Sequence, residues 1–395
     1  MNLLWVVTKS PWPPIDGGRV VVGTTLEALR ARGHTVDLVA PYDAGTVDPR
    51  ALAERLTPLC RPHLAPTVKH ARLASALASL WTRTPFSIVR HRQAAVRATV
   101  AELLRHRAFD VVHAEQLQAL AQCAPATARG VPIVLRCQNV ESDLWLGAAA
   151  VGALRGALAR REAARLAAFE GRALHRVAAT IALTAHDAAR LRTLAGDNLE
   201  IAHVAAPFPA ELPPGAPLDA PSPVVAVLGS TGWRPNEDGI AWLVTEVWPR
   251  VRAQLPAASL HVFGAFDATT TTAPGVVRHA APPDSSAAFP RGAICAVPLR
   301  YGSGVRMRIL EAWARGIAVI ATPEAARGLD ARDGHELLIA GSAAEFAAAV
   351  RKLAADRDAC AALIAAGRAR LRSAHDPQTV AARLEQIYLQ AARRR

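Results

Sequence analysis

Two series of apolar, strand-like runs alternating with helical segments predict an α/β protein of two doubly wound, Rossmann-like parallel-sheet domains. Three observations carry this reading. Strand runs and amphipathic segments alternate along nearly the whole chain, as parallel strands joined by crossover helices require. At 395 residues, 51% of them hydrophobic, the chain is long enough for two cores of ordinary size. Between Pro207 and Pro223 lie seven prolines and no helical periodicity, the composition of a stiff, extended linker.

In the first series the apolar runs Leu3–Val7, Thr35–Ala40, Val111–His113, Ile133–Arg136 and Thr180–Leu183 read as buried strands. Helices fit between them at Gly18–Arg32, Ser87–Arg107 and Gln116–Ala128, with a long basic helix through Leu144–His175. In the second series, strands fall at Val224–Leu228, Leu260–Phe263, Ala293–Val297 and Ile317–Ala321. Helices are expected over Asp238–Gln254 and Val305–Arg315. Ser342 and Glu345 form a capping box that opens a helix to Leu353. The expected domains are residues 1–206 and 223–375, joined by the linker 207–222, with a last helix over 376–395 packing back on the first domain.

Composition excludes several classes. The cysteines Cys60, Cys123, Cys137, Cys295 and Cys360 are odd in number and lack metal-ligand spacing, so reduced thiols in a cytoplasmic protein are expected. The opening MNLLWVVTKS lacks the basic start and long apolar core of a signal peptide and reads as a buried strand. No apolar run approaches the roughly 18 residues that a membrane span needs. The net charge is +13, and the stretch Lys69–Arg107 holds eight cations and one acid, Glu102, for +7. That stretch carries apolar residues at helical spacing (Leu73, Leu77, Leu80, Trp81, then Val96, Val100, Leu103). It reads either as a basic amphipathic surface for an anionic membrane, on the inner face of the cytoplasmic membrane, or as ordinary solvated helix faces. Aromatics at 5% and the lack of a recognition motif argue against nucleic acid as a partner.

The segment Pro298–Gly316, PLRYGSGVRMRILEAWARG, is the most informative. It reads as a strand end, a loop Gly302-Ser303-Gly304 and a helix opening at Val305. Glycines let backbone N–H groups approach an anion, and the helix N-terminus adds partial positive charge. Arg306 and Arg308 lie in the first turn, where cations oppose the dipole; a bound diphosphate would explain them. Glu311, one turn deeper, could accept hydrogen bonds from ribose hydroxyls, or simply pair with Arg315 four residues on.

The whole chain resembles the GT-B glycosyltransferases, in particular the retaining family-4, group 1 type. PPIDGGRVVVGTTLEALRARGHTVDLVAP (Pro13–Pro41) is similar to the family's first strand, glycine turn and helix. RCQNVESDLW (Arg136–Trp145) is similar to its HN-x-E segment, and LGSTGWRPNEDG (Leu228–Gly239) to the opening of its second domain. Pro298–Gly316 and GLDARDGHELLIA (Gly328–Ala340) resemble its nucleotide-sugar site.

The resemblance implies roles for particular residues. Gly17 and Gly18 would bring backbone close to donor or acceptor, although a tight strand-to-helix turn also needs them. Asn139 and Glu141 follow a strand's carboxyl end, where open α/β sheets bind ligands; capping the next helix is their alternative role. Gln138 stands where the family usually has a histidine, and glutamine cannot transfer a proton. Glu311 matches the second glutamate of the family's E-x7-E motif, but the first position is Ser303, which offers no charge. The family's Arg/Lys pair is not evident: Ser230 and Asn236 fall near those places, leaving Arg234, Arg306 and Arg308 to neutralise a diphosphate. Gly304 and Ser303 would complete the donor site. Arg327, Asp330 and Asp333 read as turn-shaping. Asp356-Arg357-Asp358 has D-x-D spacing but sits between helices, so no metal and no cofactor are expected. The absence of G-x-G-x-x-G after the first strand argues against a nicotinamide enzyme.

The implied activity is transfer of a sugar from a nucleotide diphosphate-sugar to a lipid-linked or saccharide acceptor, in envelope or exopolysaccharide synthesis. The active site is expected between the two domains. Other readings on the same scaffold are a nucleotide-sugar epimerase and a non-catalytic nucleotide-binding subunit.

Overall fold

The computed structural model describes residues 1–67, 71–147, 153–196, 198–229, 234–264, 273–282 and 284–394. It divides into two compact units. The first comprises Met1–Pro207, Ser303–Val305 and Pro377–Arg395, and the second Phe208–Gly302 and Arg306–Asp376.

The first unit opens with β1 (Asn2–Val6), α1 (Gly17–Ala31), β2 (Thr35–Tyr42), α2 (Pro49–Leu56) and β3 (Arg61–Pro66). Three helices follow, α3 (Arg72–Thr82), α4 (Phe86–Arg90) and α5 (Ala94–His106), before β4 (Val111–Glu115). Then come α6 (Ala124–Ala128), β5 (Ile133–Cys137), α7 (Glu141–Gly147), α8 (Ala153–Leu174), β6 (Ala179–Ala182), α9 (Ala185–Ala195) and β7 (Ile201–His203). The seven strands order as β3-β2-β1-β4-β5-β6-β7, and every pairing is parallel. Side chains alternate across the pleat. Leu4 and Val6 of β1 face a core with Val96, Val100 and Leu104 of α5. Leu3 and Trp5 face the opposite core, with Leu26 and Leu29 of α1.

The second unit contains β8 (Val224–Leu228), α10 (Arg234–Trp242), α11 (Trp248–Gln254), β9 (Ser259–Phe263), β10 (Val276–His279) and β11 (Ile294–Val297). It continues with α12 (Met307–Ala314), β12 (Ala318–Ala321), α13 (Pro323–Ala326), β13 (Leu338–Ile339), α14 (Ala343–Ala355) and α15 (Arg357–Arg370). Its parallel sheet has the order β10-β9-β8-β11-β12-β13. Val225, Leu260, Ile294 and Ile320 pack there against Trp248, Phe346 and Val350. The Ser342–Glu345 capping box is formed at the start of α14. The last helix, α16 (Pro377–Arg393), lies in the first unit and places Val380, Leu384 and Tyr388 in the core that holds Leu3 and Trp5.

Several expected helices are divided. Ser87–Arg107 is two helices, α4 and α5, with a break at residues 91–93. Gln116–Ala128 is a 3-10 turn over Leu117–Cys123 followed by the single turn of α6. The long basic helix is α7 and α8, with residues 148–152 between them outside the described residues. The helix expected from Val305 begins at Met307, so Arg306 is its N-cap and not a first-turn residue. Phe208–Ser222 contains no helix, but it is not a free spacer. Leu212 N–H donates to Ala314 O at 3.0 Å and Gly215 N–H to Phe289 O at 2.9 Å, which tie it to the second unit. Among the described residues no helix is long and apolar enough to cross a membrane.

Candidate functional site

In the first sheet the chain turns from β1 to β2 on one side and reaches β4 on the other, so the β1/β4 boundary is the topological switch point where such sheets hold ligands. A small crevice opens there, lined by Thr8, Lys9, Gly18, Arg19, Glu115, Gln116 and Gln138. Asp16 caps α1 by accepting from Arg19 N–H at 3.0 Å, and Gly17 and Gly18 form its first turn. A Cβ on Gly18 would stand 2.4 Å from Gln138 Oε1, so the glycine is needed for close approach of that amide. Gln138 is fixed on both ends: Nε2 donates to Glu115 Oε1 at 2.9 Å, and Oε1 accepts from Gln116 Nε2 at 2.9 Å. Thr8 Oγ1 donates to Gln116 Oε1 at 2.6 Å, which completes a chain across the strand ends.

A buried charged cluster stands behind this chain. Arg136 Nη2 meets Glu115 Oε2 at 2.7 Å, its Nη1 donates to Thr25 Oγ1 at 3.0 Å, and the guanidinium lies 5.3 Å from the Trp5 ring centre. Burial alone would raise the Glu115 pKa, but Arg136 and His113 outweigh it and hold the carboxyl at about 2. His113 is pushed down to about 4 by burial, so it is neutral, bridging Glu115 at 3.2 Å and the Tyr388 hydroxyl at 2.8 Å. Through Tyr388 the C-terminal helix reaches the group that orients Gln138.

Past β5, Asn139 is half-buried, its amide nitrogen oriented to donate to Gln138 O at 3.2 Å. Glu141 opens α7, whose first N–H groups are capped from α8: Glu170 accepts from Glu141 N–H at 2.8 Å and Ser142 N–H at 3.0 Å. Burial, together with the nearby Glu170 carboxylate, raises the Glu141 pKa to about 7.

The second sheet has its own switch point between β8 and β11. The residues after β8, 230–233, lie outside the described residues, and with them Ser230. After β11 comes the loop to α12, in which Gly302 (φ 130°) and Gly304 (φ 82°) take backbone angles that favour glycine. Ser303 and Gly304 belong to the first unit, and Gly302 and Arg306 to the second. Arg308 is half-buried, and its Nη1 donates to Asn236 Oδ1 at 2.7 Å. Burial, reinforced by Arg306, lowers the Arg308 pKa to about 10. Arg234, the first residue of α10, is exposed.

Glu311 pairs with Arg315, but not on an exposed surface: the side chains are 15% and 7% exposed. Its Oε1 accepts from Arg315 Nε at 3.0 Å and Nη2 at 2.8 Å, and also from the Ser285 hydroxyl. Arg315 further donates to Pro213 O and lies over the Phe289 ring. Glu311 is therefore built into the second unit's interior, with Oε2 outside these three bonds. Asp356 of the D-x-D sequence caps α15, accepting from Ala359 N–H at 2.8 Å. Asp333 accepts from Ile339 N–H at 2.7 Å within a turn. Among the described residues no three His, Cys, Asp or Glu side chains gather as metal ligands.

Sequence reasoning missed Gln116, Thr8 and Tyr388. Gln116 has φ 71° and ψ 153°, a conformation rare outside glycine and characteristic of functional sites. Its signal was positional: it directly follows a buried strand beside the first one.

Two Rossmann-like units, each with polar or cationic groups gathered at its switch point, define the GT-B architecture. Solved structures of that architecture are similar over almost the entire chain. Sucrose-phosphate synthase (tll1590) from Thermosynechococcus elongatus has a TM-score of 0.73 at 18% identity, covering 100% of both chains. Anabaena Alr3699/HepE, solved with UDP and glucose, has a TM-score of 0.63 at 14% identity over 98% of both chains. TarM, from S. aureus, reaches 0.69 at 9% identity over 98% of both. No curated protein matches by sequence. The family model Glycosyltransferase Family 4 matches residues 15–205, and Glycosyl transferases group 1 matches residues 222–356. The chain belongs to the group 1, family 4 glycosyltransferases and is a transferase.

Proposed function

We propose that this enzyme transfers a sugar from a nucleotide diphosphate-sugar to a saccharide or lipid-linked acceptor, with retention of anomeric configuration as in the family it belongs to. One observation carries the donor side: a half-buried guanidinium, Arg308, held below its usual pKa beside Arg306 at the N-terminal end of α12. Two cations where the helix dipole already presents positive charge are costly for the free protein and favourable with a diphosphate bound. As the glycosidic bond to phosphate breaks, negative charge grows on the leaving diphosphate, and fixed arginines stabilise it without reorganisation. The complex of Alr3699/HepE with UDP and glucose supports a nucleoside diphosphate donor of this kind.

On the acceptor side, the Thr8–Gln116–Gln138 chain supplies oriented amides that bond hydroxyl groups and move no proton. Asn139 and Glu141 follow on the same strand end. Glu311 is assigned to the ribose through Oε2. No metal or cofactor enters this reading, because the arginines and the helix end carry the leaving-group charge.

Thermal-shift screening against nucleotide sugars, followed by transfer assays with hits, tests the proposal. A donor at about 100 times its Kd stabilises by about 2.7 kcal/mol. If no nucleoside diphosphate or its sugar shifts the melting temperature, the reading fails.

A further inference from the structure

Helix α3 is turned inside out. Its inward positions are Ser75 and Ser79, both buried, while Leu73, Leu77, Leu80 and Trp81 point to solvent with exposures of 73%, 60%, 62% and 90%. The inward contacts are polar. Ser79 Oγ donates to Thr84 O at 2.7 Å and accepts from Arg165 Nη1 at 3.1 Å, and Arg165 Nη2 also bonds Ser79 O and Thr84 O. Ser75 Oγ, though buried, has no hydrogen-bond partner among the described residues. These bonds fix the helix's rotation, so the outward leucines are not the result of a loosely held turn. The stripe 73, 77, 80, 81 follows one helical face. By contrast, Val96, Val100 and Leu103 of α5, which share the same basic segment, are core residues.

The charges around the stripe select its occupant. Residues 71–101 contain no acid, and Arg83, the C-cap of α3, and Arg90, in the last turn of α4, are both exposed. An isologous contact between two copies would oppose arginine to arginine around the apolar face. An anionic lipid surface meets both features: headgroup phosphates for the arginines and the acyl boundary for the leucines, with Trp81 at the interface.

We propose that α3 is a membrane-docking helix that lays Leu73, Leu77, Leu80 and Trp81 into the interface of an anionic bilayer. This surface is independent of the sugar-transfer reading, since it involves none of the strand-end residues.

The test uses the full chain and sedimentation with vesicles of phosphatidylcholine, with and without phosphatidylglycerol. Binding to the anionic vesicles, weakened by salt, is expected. Leu77→Ser/Leu80→Ser/Trp81→Ser should lower the partition coefficient at least tenfold. Arg83→Gln/Arg90→Gln should lower it by up to about tenfold, with binding becoming less salt-sensitive. All five positions are exposed; circular dichroism and nucleotide-induced thermal shift confirm that each variant is folded. Vesicle binding that the triple variant leaves unchanged overturns the proposal. So does failure to bind vesicles, or a concentration-dependent dimer that the triple variant dissolves, which would assign the face to a second copy.

Discussion

Replacing Arg308 by methionine should separate the cost of that residue to the fold from its use in binding. A guanidinium lowered from 12.5 to about 10 carries about 3 kcal/mol of unfavourable burial at neutral pH. Methionine keeps much of the stem and removes the charge. The change forfeits the 2.7 Å bond to Asn236, a loss of about 1–3 kcal/mol. The two effects largely offset, so Arg308→Met should leave stability between that of the parent and about 2 kcal/mol above it. Nucleoside diphosphate affinity should fall by about 1.5–3 kcal/mol, ten- to a hundredfold, because a charge-assisted contact is lost. Calorimetric titration and urea unfolding of both proteins read the two quantities separately. Unchanged affinity would place the diphosphate elsewhere, with Arg234 as the next candidate. A loss of stability well beyond 2 kcal/mol would show that Arg308 holds the fold together.

Glu311→Gln should lower nucleotide affinity by about 1–3 kcal/mol and also stability by about 1–2 kcal/mol, since Arg315 loses the nearer of its two carboxylate partners; a stability loss with unchanged affinity would reduce Glu311 to a support for Arg315. Gly18→Ala should displace the Gln138 amide by its close approach and cut kcat/KM at least about tenfold with nucleotide affinity and melting temperature kept; parental transfer would remove Gln138 from the site. Glu141 binds its proton more tightly folded, at about 7, than unfolded, at about 4.5, so stability falls as pH rises through that window. Glu141→Gln should therefore match the parent near the low end and exceed it by about 2–3 kcal/mol above the high end; parallel unfolding curves at both ends would contradict the raised pKa.

The strands absent from the sequence reading, β3, β7, β10 and β13, are the four outer strands of the two sheets. Central strands such as Asn2–Val6 are buried on both faces and show as apolar runs. β3, RPHLAP, is mostly half-exposed and holds two prolines, tolerable only where one side of a strand needs no ladder bonds. β10, VVRH, is exposed at its middle residues. Local pattern reports burial, and an edge strand has little of it to report. The same limit applies at the sites. Arg306 and Arg308 stood out because cations oppose a helix N-terminus, a conflict visible locally. Gln116 did not, because its position matters only once β4 is known to neighbour β1. Tyr388 lies 275 residues from its partner His113. For α3, spacing revealed an apolar stripe but could not tell which way it faced; buried serines and Arg165 decide that.

The first unit draws on both ends of the chain, and that sets a schedule for its synthesis. When β7 leaves the ribosome, the sheet face holding Leu3, Trp5 and Leu38 has α1 but not α16 to cover it. The whole second unit must be translated first, which at about 5–20 residues per second takes roughly ten to thirty seconds. During that interval a nascent N-terminal half presents an uncapped apolar sheet and a His113 that still lacks the Tyr388 hydroxyl. Chaperone dependence during translation, and aggregation of chains truncated before Pro377, follow from the route of the backbone alone.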